Sequence, residues 1–113
     1  MSETETQLDN RPKLSLEKRH LAIVQQILQS RLPDVQVWAF GSRTTPTPKP
    51  YSDLDLAVIG SRPTDLKLLA SLSEDFSNSD LPFKVDIVDW ATTSEAFRGI
   101  IQKHKVVMQA HRA

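Results

Sequence analysis

The sequence predicts an α/β fold in which helices pack on a small mixed β-sheet. Two observations carry this prediction. Runs rich in β-branched and aromatic residues end at glycine, as strands do at tight turns. They alternate with segments whose apolar residues recur at helical spacing. The chain has 113 residues and is 39% hydrophobic, which is enough for one core and too little for two ordinary domains.

The N-terminal part predicts a tail followed by a helix. Residues 1–13 are polar and acidic, and we expect them to form a flexible tail ahead of one domain that covers residues 14–113. A first helix is predicted from Leu16 to Leu32, where apolar residues recur every three or four positions. Ser15 can cap its start and Pro33 ends it.

The middle of the chain predicts two strands joined by an extended loop. The run Val35–Phe40 is rich in β-branched and aromatic residues and stops at Gly41. Prolines then stand at alternate positions from Pro46 to Pro50, and they exclude a regular element because each lacks an N–H group. A second strand is predicted over Leu54–Ile59, ending at Gly60.

A strand, helix and strand unit follows from the second strand. The segment Thr64–Phe76 has a broad apolar stripe, so it predicts a helix that crosses the sheet. The segment Lys84–Trp90 then predicts a third strand. If the second and third strands are neighbours, residues on the same face of both strands lie close together.

The C-terminal part predicts a last helix. Thr92 and Glu95 stand at capping-box spacing, which predicts a helix start there. Three apolar residues of this helix are expected to face inward: Phe97, Ile100 and Ile101. The segment Val106–Met108 is expected to end the chain against the core. Trp38 and Trp90 are interpreted as core or interface aromatics.

Charge and composition exclude several classes of function. The 14 basic residues balance the 14 acidic ones, so we expect no strong direct binding to nucleic acid. Cysteine is absent, which excludes disulfides and thiolate metal sites. No apolar run is long enough to span a bilayer, and the N-terminus lacks the pattern of a signal peptide. We therefore expect a cytoplasmic protein without a membrane partner.

Three aspartates are the candidate catalytic and metal-binding residues. Asp53 and Asp55 point to one side of the second strand because strand side chains alternate between faces. Asp86 lies inside the third strand and can join them if the two strands are neighbours. Clustered carboxylates without His or Cys suit Mg²⁺ or Mn²⁺, and the phosphates of a nucleotide would complete the shell.

The residues before the loop are candidates for binding the nucleotide. Gly41 allows the backbone to approach a phosphate closely, and Ser42 supplies a hydroxyl and an N–H group. Arg43 can form a charge-assisted hydrogen bond to a phosphate oxygen, although a solvated loop cation is an equal alternative for it.

These residues together resemble a known signature. Gly41-Ser42, ten intervening residues and Asp53-Leu54-Asp55 look like the GSx10DxD motif of the DNA polymerase beta-type nucleotidyltransferases, and Asp86 matches their third acidic residue. The short chain resembles the minimal nucleotidyltransferases (MNT), which are the antitoxin partners of HEPN toxins in two-gene modules. The likeness covers about residues 16–108 and implies a polymerase beta-like nucleotidyltransferase fold.

The resemblance implies a Mg²⁺-dependent enzyme with ATP as nucleotide donor. Asp53 and Asp55 would hold two Mg²⁺ ions on the triphosphate, and Asp86 would bind the metal that activates the attacking hydroxyl. Members of this kind are thought to transfer AMP to a tyrosine of the HEPN toxin. A HEPN protein encoded by a neighbouring gene is the expected partner, in a hetero-oligomer.

Two alternatives stay open. The loop reads TTPTPKP after Arg43, where many family members carry a second basic residue and a glycine, and Lys49 is the cation that could compensate. This departure favours a non-catalytic, nucleotide-binding antitoxin that neutralises its partner by steric masking. A nucleotidyltransferase that acts on a small molecule is disfavoured because the chain has no second domain to build an acceptor pocket.

Overall fold

The computed structural model describes residues 14–45 and 52–110. The flexible tail predicted for residues 1–13 and the extended loop predicted at Pro46–Pro50, including Lys49, lie outside the described residues. Of the described helices, none combines the length and the apolar character needed to cross a bilayer.

Within these ranges the chain forms four strands and three α-helices. The strands are β1 (Gln36–Phe40), β2 (Leu54–Ile59), β3 (Val85–Asp89) and β4 (Val106–Gln109). The helices are α1 (Lys18–Arg31), α2 (Leu66–Ser77) and α3 (Glu95–His104). Two short 3-10 turns, Gly41–Thr44 and Trp90–Thr92, directly follow β1 and β3. The predicted strands and the first two helices are confirmed, and the C-terminal segment forms a fourth strand.

The strands form one mixed sheet in the order β3-β2-β1-β4. Strand β1 runs antiparallel to both β2 and β4, whereas β2 and β3 are parallel neighbours. A parallel pair needs a crossover connection. Helix α2 supplies it, as the strand, helix and strand pattern predicted. The mixed sheet confirms the predicted fold class.

The two faces of the sheet are covered differently. On the first face, helices α1 and α2 pack on the main core, which includes the fully buried Leu54 and Leu56. The second face carries a smaller cluster of Trp38, Phe40 and Ala57, and Ile101 of α3 covers it. Side chains of β2 therefore alternate between a large core and a thinner layer. Asp55 belongs to the thinner layer.

Two predicted helix caps are wrong. The N-cap of α1 is Glu17, whose side chain makes no capping bond, and Ser15 instead bonds to the turn after β1. The N-cap of α3 is Ser94, whose hydroxyl accepts from the Phe97 N–H at 3.2 Å. Thr92 lies in a 3-10 turn and donates to the Asp89 carbonyl, so the N-cap of the helix lies two residues later than predicted.

Candidate active site

The candidate site is a row of three side chains across adjacent strands. Phe40 of β1 pairs with Asp55 of β2, and Asp55 pairs with Asp86 of β3. Partners in register point to the same face of a sheet. The condition for Asp86 to join the other carboxylates is therefore met, and two carboxylates lie side by side next to an aromatic ring.

The environment of Asp55 disfavours its charge. Burial, reinforced by the charges of Asp86 and Asp53, raises the pKa of Asp55 to about 6 from its ordinary value of 3.8. Both neighbours act in the same direction because like charges repel. Asp55 thus lies among groups that favour a bound proton or cation. A perturbed carboxylate of this kind is typical of functional sites.

The other two candidate carboxylates, Asp53 and Asp86, are open to solvent. Asp53 is exposed and directly precedes β2, and Asp86 is partly exposed, with Lys84 Nζ at 3.5 Å from its Oδ1 atom. Among the described side chains, no three of His, Cys, Asp or Glu surround one point as ligands of a metal ion. The donor chemistry nevertheless fits Mg²⁺, which binds one or two carboxylates and takes further oxygens from substrate phosphates.

Gly41 lies directly against Asp55. Its φ is +82°, in the region that favours glycine, and a Cβ atom added there would lie 2.2 Å from Asp55 Oδ2. No side chain fits at this position while the carboxylate keeps its place. The glycine that sequence reasoning singled out is therefore required by the aspartate fourteen positions later.

The turn after β1 is held by hydrogen bonds that sequence reasoning missed. The hydroxyls of Thr44 and Thr45 donate to the carbonyls of Gly41 and Ser42 at 2.6 and 2.7 Å. Ser15 donates to the carbonyl of Thr45 through its hydroxyl, at 2.6 Å. The two threonines after GSR indicate this arrangement, because Thr hydroxyls commonly bond to nearby backbone. The shape of the turn is thus fixed without a ligand.

Ser42 is exposed on this turn, whereas Arg43 is buried beneath it. Arg43 Nε donates to the carbonyl of Ser52 at 3.1 Å, and its Nη1 donates to that of Ser15 at 3.4 Å. Its guanidinium lies 4.5 Å from the ring centroid of Phe83. This placement favours a structural role over the phosphate contact predicted for Arg43, because the cation is used in holding three segments together.

A cleft of about 460 Å³ opens beside the row. Its lining is mostly apolar and comes from the end of β1, the turn, β2, β3 and α3: Phe40, Gly41, Thr45, Asp55, Val88, Phe97, Ile100 and His104. Phe97 packs edge-on against Phe40 with ring centroids 5.8 Å apart. Arg98 holds α3 in place through two hydrogen bonds to the carbonyl of Trp90.

Sequence reasoning missed this cleft. It predicted that Phe97, Ile100 and Ile101 all face inward. Ile101 is buried and Phe97 is partly buried, but Ile100 is 58% exposed at the edge of the cleft. The prediction for Ile100 is wrong because α3 covers only part of the second face. No role was predicted for His104, since an isolated histidine without a partner pattern indicates nothing in sequence.

Asp89 does not belong to the row. It lies three residues after Asp86 and accepts two hydrogen bonds from Thr64, from the N–H at 2.8 Å and from the hydroxyl at 3.0 Å. Asp89 thus connects the end of β3 to the segment before α2. The odd spacing from Asp86 places Asp89 on the opposite face of β3.

The chain matches a sequence profile and a close relative. The profile of the family described as "Polymerase beta, Nucleotidyltransferase" matches residues 22–113. A protein of Haemophilus influenzae described as "Probable protein adenylyltransferase MntA" is 55% identical over 97 residues, which are 86% of this chain and 85% of the relative.

Solved structures have the same fold. A chain of the structure described as "toxin-antitoxin with AMP-PNP" superposes with a TM-score of 0.68 at 22% identity, covering 81% of this chain and 74% of that one. A chain from a complex of a tri-AMPylated Shewanella oneidensis HEPN toxin with an MNT antitoxin gives 0.64 at 20% identity, covering 84% and 73%. The predicted polymerase beta-like fold is confirmed. By its profile match and its relative, the chain belongs to the polymerase beta nucleotidyltransferase family.

Proposed function

We propose that the chain is a Mg²⁺-dependent protein adenylyltransferase that transfers AMP from ATP to a tyrosine of a HEPN toxin, as the antitoxin of a two-gene module. The relative described as a protein adenylyltransferase supports this proposal through 55% identity. The structures related by fold are described as toxin-antitoxin complexes, one with AMP-PNP and one with an AMPylated HEPN toxin.

One observation carries the proposal: the turn at Gly41 contacts Asp55, the central residue of the row. The backbone of this turn approaches Asp55 with no side chain between them. A phosphate bound there would lie close to both the backbone of the turn and the carboxylate. Gly41 and Ser42 would hold the triphosphate, while Asp53, Asp55 and Asp86 face the reacting phosphorus. A plain surface turn would not require glycine at the point of contact with a partly buried aspartate.

The reaction is a substitution at phosphorus. The tyrosine hydroxyl oxygen forms a bond to the α-phosphorus of ATP, the bond from that phosphorus to the bridging oxygen breaks, and pyrophosphate leaves. We assign Asp86 to the acceptor side, where it can take the hydroxyl proton, since it is the outer carboxylate of the row and partly exposed. Asp55 is the inner carboxylate, beside the phosphate turn.

The carboxylates would also hold the metal. Asp53, Asp55 and Asp86 are the residues that we assign to two Mg²⁺ ions, with Mn²⁺ as a substitute. When bound, these ions would neutralise charge on the triphosphate and on the leaving pyrophosphate. The raised pKa of Asp55 supports this assignment, because a cation relieves the same repulsion that favours the proton.

The acceptor must come from another chain. The row ends at Asp86 on β3, an edge strand of the sheet, and the partly exposed Asp86 opens to solvent. We therefore propose a hetero-oligomer with a HEPN protein encoded by a neighbouring gene. Co-expressed proteins that elute separately in size-exclusion chromatography would contradict this part of the proposal.

The test is intact-mass spectrometry of the partner after incubation with this protein, ATP and Mg²⁺. We expect additions of AMP mass with the wild type and none with Asp53→Asn, an exposed site where the substitution does not disturb packing. Asp80→Asn is the matched control, because it removes an exposed carboxylate that is not a member of the row. Peptide mapping then shows whether tyrosine carries the AMP.

A different result would favour the binding antitoxin. A stable complex with an inactive toxin and no added mass would mean that neutralisation occurs by steric masking. In that case Asp53→Asn would leave neutralisation intact. Addition of AMP to a residue other than tyrosine would keep the transferase and correct the acceptor.

A further inference from the structure

Ser15, in the segment before α1, contacts the turn of the candidate site although it lies outside the GSx10DxD motif. We propose that Ser15 is a positioning residue for the transfer: through Arg43 it holds the turn at Gly41 in place relative to Asp53. Neither Ser15 nor Arg43 needs to contact the nucleotide for this role. The inference rests on the proposed function, because it needs the triphosphate at the turn and the metal at Asp53.

The sheet alone does not set the distance between the turn and Asp53. The pairing of β1 with β2 ends at Phe40 and Asp55. The turn follows Phe40 and Asp53 precedes β2, so both lie beyond the last paired residues. The hydrogen bonds of the threonine hydroxyls within the turn fix only its shape. The position of the turn relative to Asp53 therefore depends on contacts between the turn and the segment before β2.

Arg43 supplies such contacts. Its Nε atom donates to the carbonyl of Ser52 at 3.1 Å, and Ser52 directly precedes Asp53. Its guanidinium lies 4.5 Å from the ring centroid of Phe83, which stands three residues before Asp86. The buried side chain thus reaches from the turn to the segments that lead into both carboxylate strands. A shift of Arg43 would therefore move the turn relative to the carboxylates.

Ser15 holds Arg43 and the end of the turn through three hydrogen bonds. Its N–H donates to the Arg43 carbonyl at 2.6 Å, and its hydroxyl donates to the Thr45 carbonyl at 2.6 Å. Its carbonyl accepts from Arg43 Nη1 at 3.4 Å. His20 of α1 supports the same cluster, because its ring packs edge-on against Phe83 with centroids 5.6 Å apart. Ser15 is not the N-cap of α1, so its hydroxyl serves the turn and not the helix.

The hydroxyl can be removed without removing the other bonds. Ser15→Ala eliminates the bond to the Thr45 carbonyl and keeps both bonds between Arg43 and the backbone of residue 15. Because Ser15 precedes α1 and is only partly buried, the variant should fold. Ser15→Thr retains a hydroxyl and should restore the bond. Thr64→Val is the matched control, because it removes a hydroxyl bond to Asp89 on the opposite face of β3 from the row.

The experiment measures ATP binding by calorimetry, once with Mg²⁺ and once with EDTA. The ratio of the two affinities reports how well the turn and Asp53 act on one triphosphate, because a bound metal connects the carboxylates to the phosphates. We expect Ser15→Ala to lower this ratio about three- to tenfold, as for the loss of one hydrogen bond. The rate of AMP transfer at saturating ATP should fall by a similar factor. Ser15→Thr should restore both values.

The control and a double variant separate positioning from general stability. Thr64→Val should lower Tm about as much as Ser15→Ala does, but leave the ratio and the transfer rate unchanged. If Ser15→Ala leaves the ratio unchanged, whether or not Tm falls, Ser15 has only a structural role and the inference fails. Ser15→Ala combined with Arg43→Lys should lose no more than the more damaging single variant. Losses that multiply would overturn the inference, because the two residues would not act through one link.

These measurements also separate the inference from the proposed function. If the wild type binds ATP with Mg²⁺ but transfers no AMP, the transferase fails, and the ratio of affinities still tests Ser15. If the wild type does not bind ATP, both fail together. If AMP is transferred and Ser15→Ala keeps the rate and the ratio of the wild type, the transferase stands and Ser15 is not a positioning residue.

Discussion

Replacing Gly41 with alanine tests the geometry of the site most directly. The residue has a φ of +82°, and its Cβ position lies 2.2 Å from Asp55 Oδ2. Alanine therefore meets two separate penalties, one in the backbone and one in the contact. The backbone penalty acts on stability, while the contact acts on the position of the carboxylate.

The expected magnitudes follow from this φ angle and this distance. Alanine in the left-handed region costs about 1–2 kcal/mol. For a domain of this size each kcal/mol lowers Tm by roughly 4–8 °C. Ordinary contact begins at 3.4 Å, so the carboxylate must move by about 1 Å. A misplacement of about 1 Å in a catalytic site can lower the rate about 100-fold.

Two assays measure these effects. Thermal unfolding should show that Tm decreases, and the rate of AMP transfer should fall about 100-fold. Movement of the Asp55 carboxylate away from its buried position should also lower its pKa from about 6, which NMR titration can follow.

Two other glycines provide controls. A Cβ at Gly99 in α3 meets no atom within 4 Å, so Gly99→Ala should raise stability by about 0.5–1 kcal/mol. At Gly60 the nearest atom is the Arg62 carbonyl oxygen at 3.7 Å, an ordinary contact. If Gly41→Ala keeps its transfer rate and the pKa of Asp55, the contact does not position the carboxylate and the reasoning fails.

Three further predictions concern charged side chains. The folded-state pKa of Asp55 lies above its ordinary value of 3.8, so its contribution to stability is lost as pH rises from about 4 to about 6. Asp55→Asn should therefore gain stability over the wild type across that window in urea unfolding with EDTA, and a constant difference would contradict this. Arg43→Lys should lower the free energy of unfolding by about 2 kcal/mol, because an ammonium group cannot reproduce the hydrogen bonds and the ring contact of the guanidinium. A variant as stable as the wild type would contradict the structural role of Arg43. Asp89→Ala should lower the free energy of unfolding by about 1–3 kcal/mol, because it leaves the N–H of Thr64 without its acceptor. The exposed control Asp80→Ala should change it by less than about 0.5 kcal/mol. Equal effects of the two substitutions would show that Asp89 does not stabilise the fold.

The strands and the carboxylate pair could be predicted because their pattern is local. Alternation along β2 places Leu54 and Leu56 on one face and Asp55 on the other, and any sheet that buries the leucines has this result. The contact with Asp86 needed one further condition, that β2 and β3 are neighbours. The helix between two strands favours such a parallel pair but does not require it.

The role of Arg43 and the cleft could not be predicted because they depend on segments distant in sequence. Arg43 bonds to Ser15 and lies over Phe83, and no local pattern indicates that these residues meet. The exposure of Ile100 depends on how much of the sheet α3 covers, whereas helical spacing shows only that a residue shares a face with its neighbours.

The two carboxylates of the row, Asp55 and Asp86, do not stabilise the fold. Burial and like charges disfavour the ionised form of Asp55, while the leucines on either side of it hold β2 in the core without its help. An apolar residue in its place would pack on Phe40 and avoid the repulsion from Asp86. Any cation that binds the row therefore stabilises the folded chain by relieving this repulsion, and by linkage its affinity increases with the penalty that it removes. The arrangement is unfavourable for packing and would favour the metal-bound nucleotide that we propose as its ligand, which is why we attribute it to function.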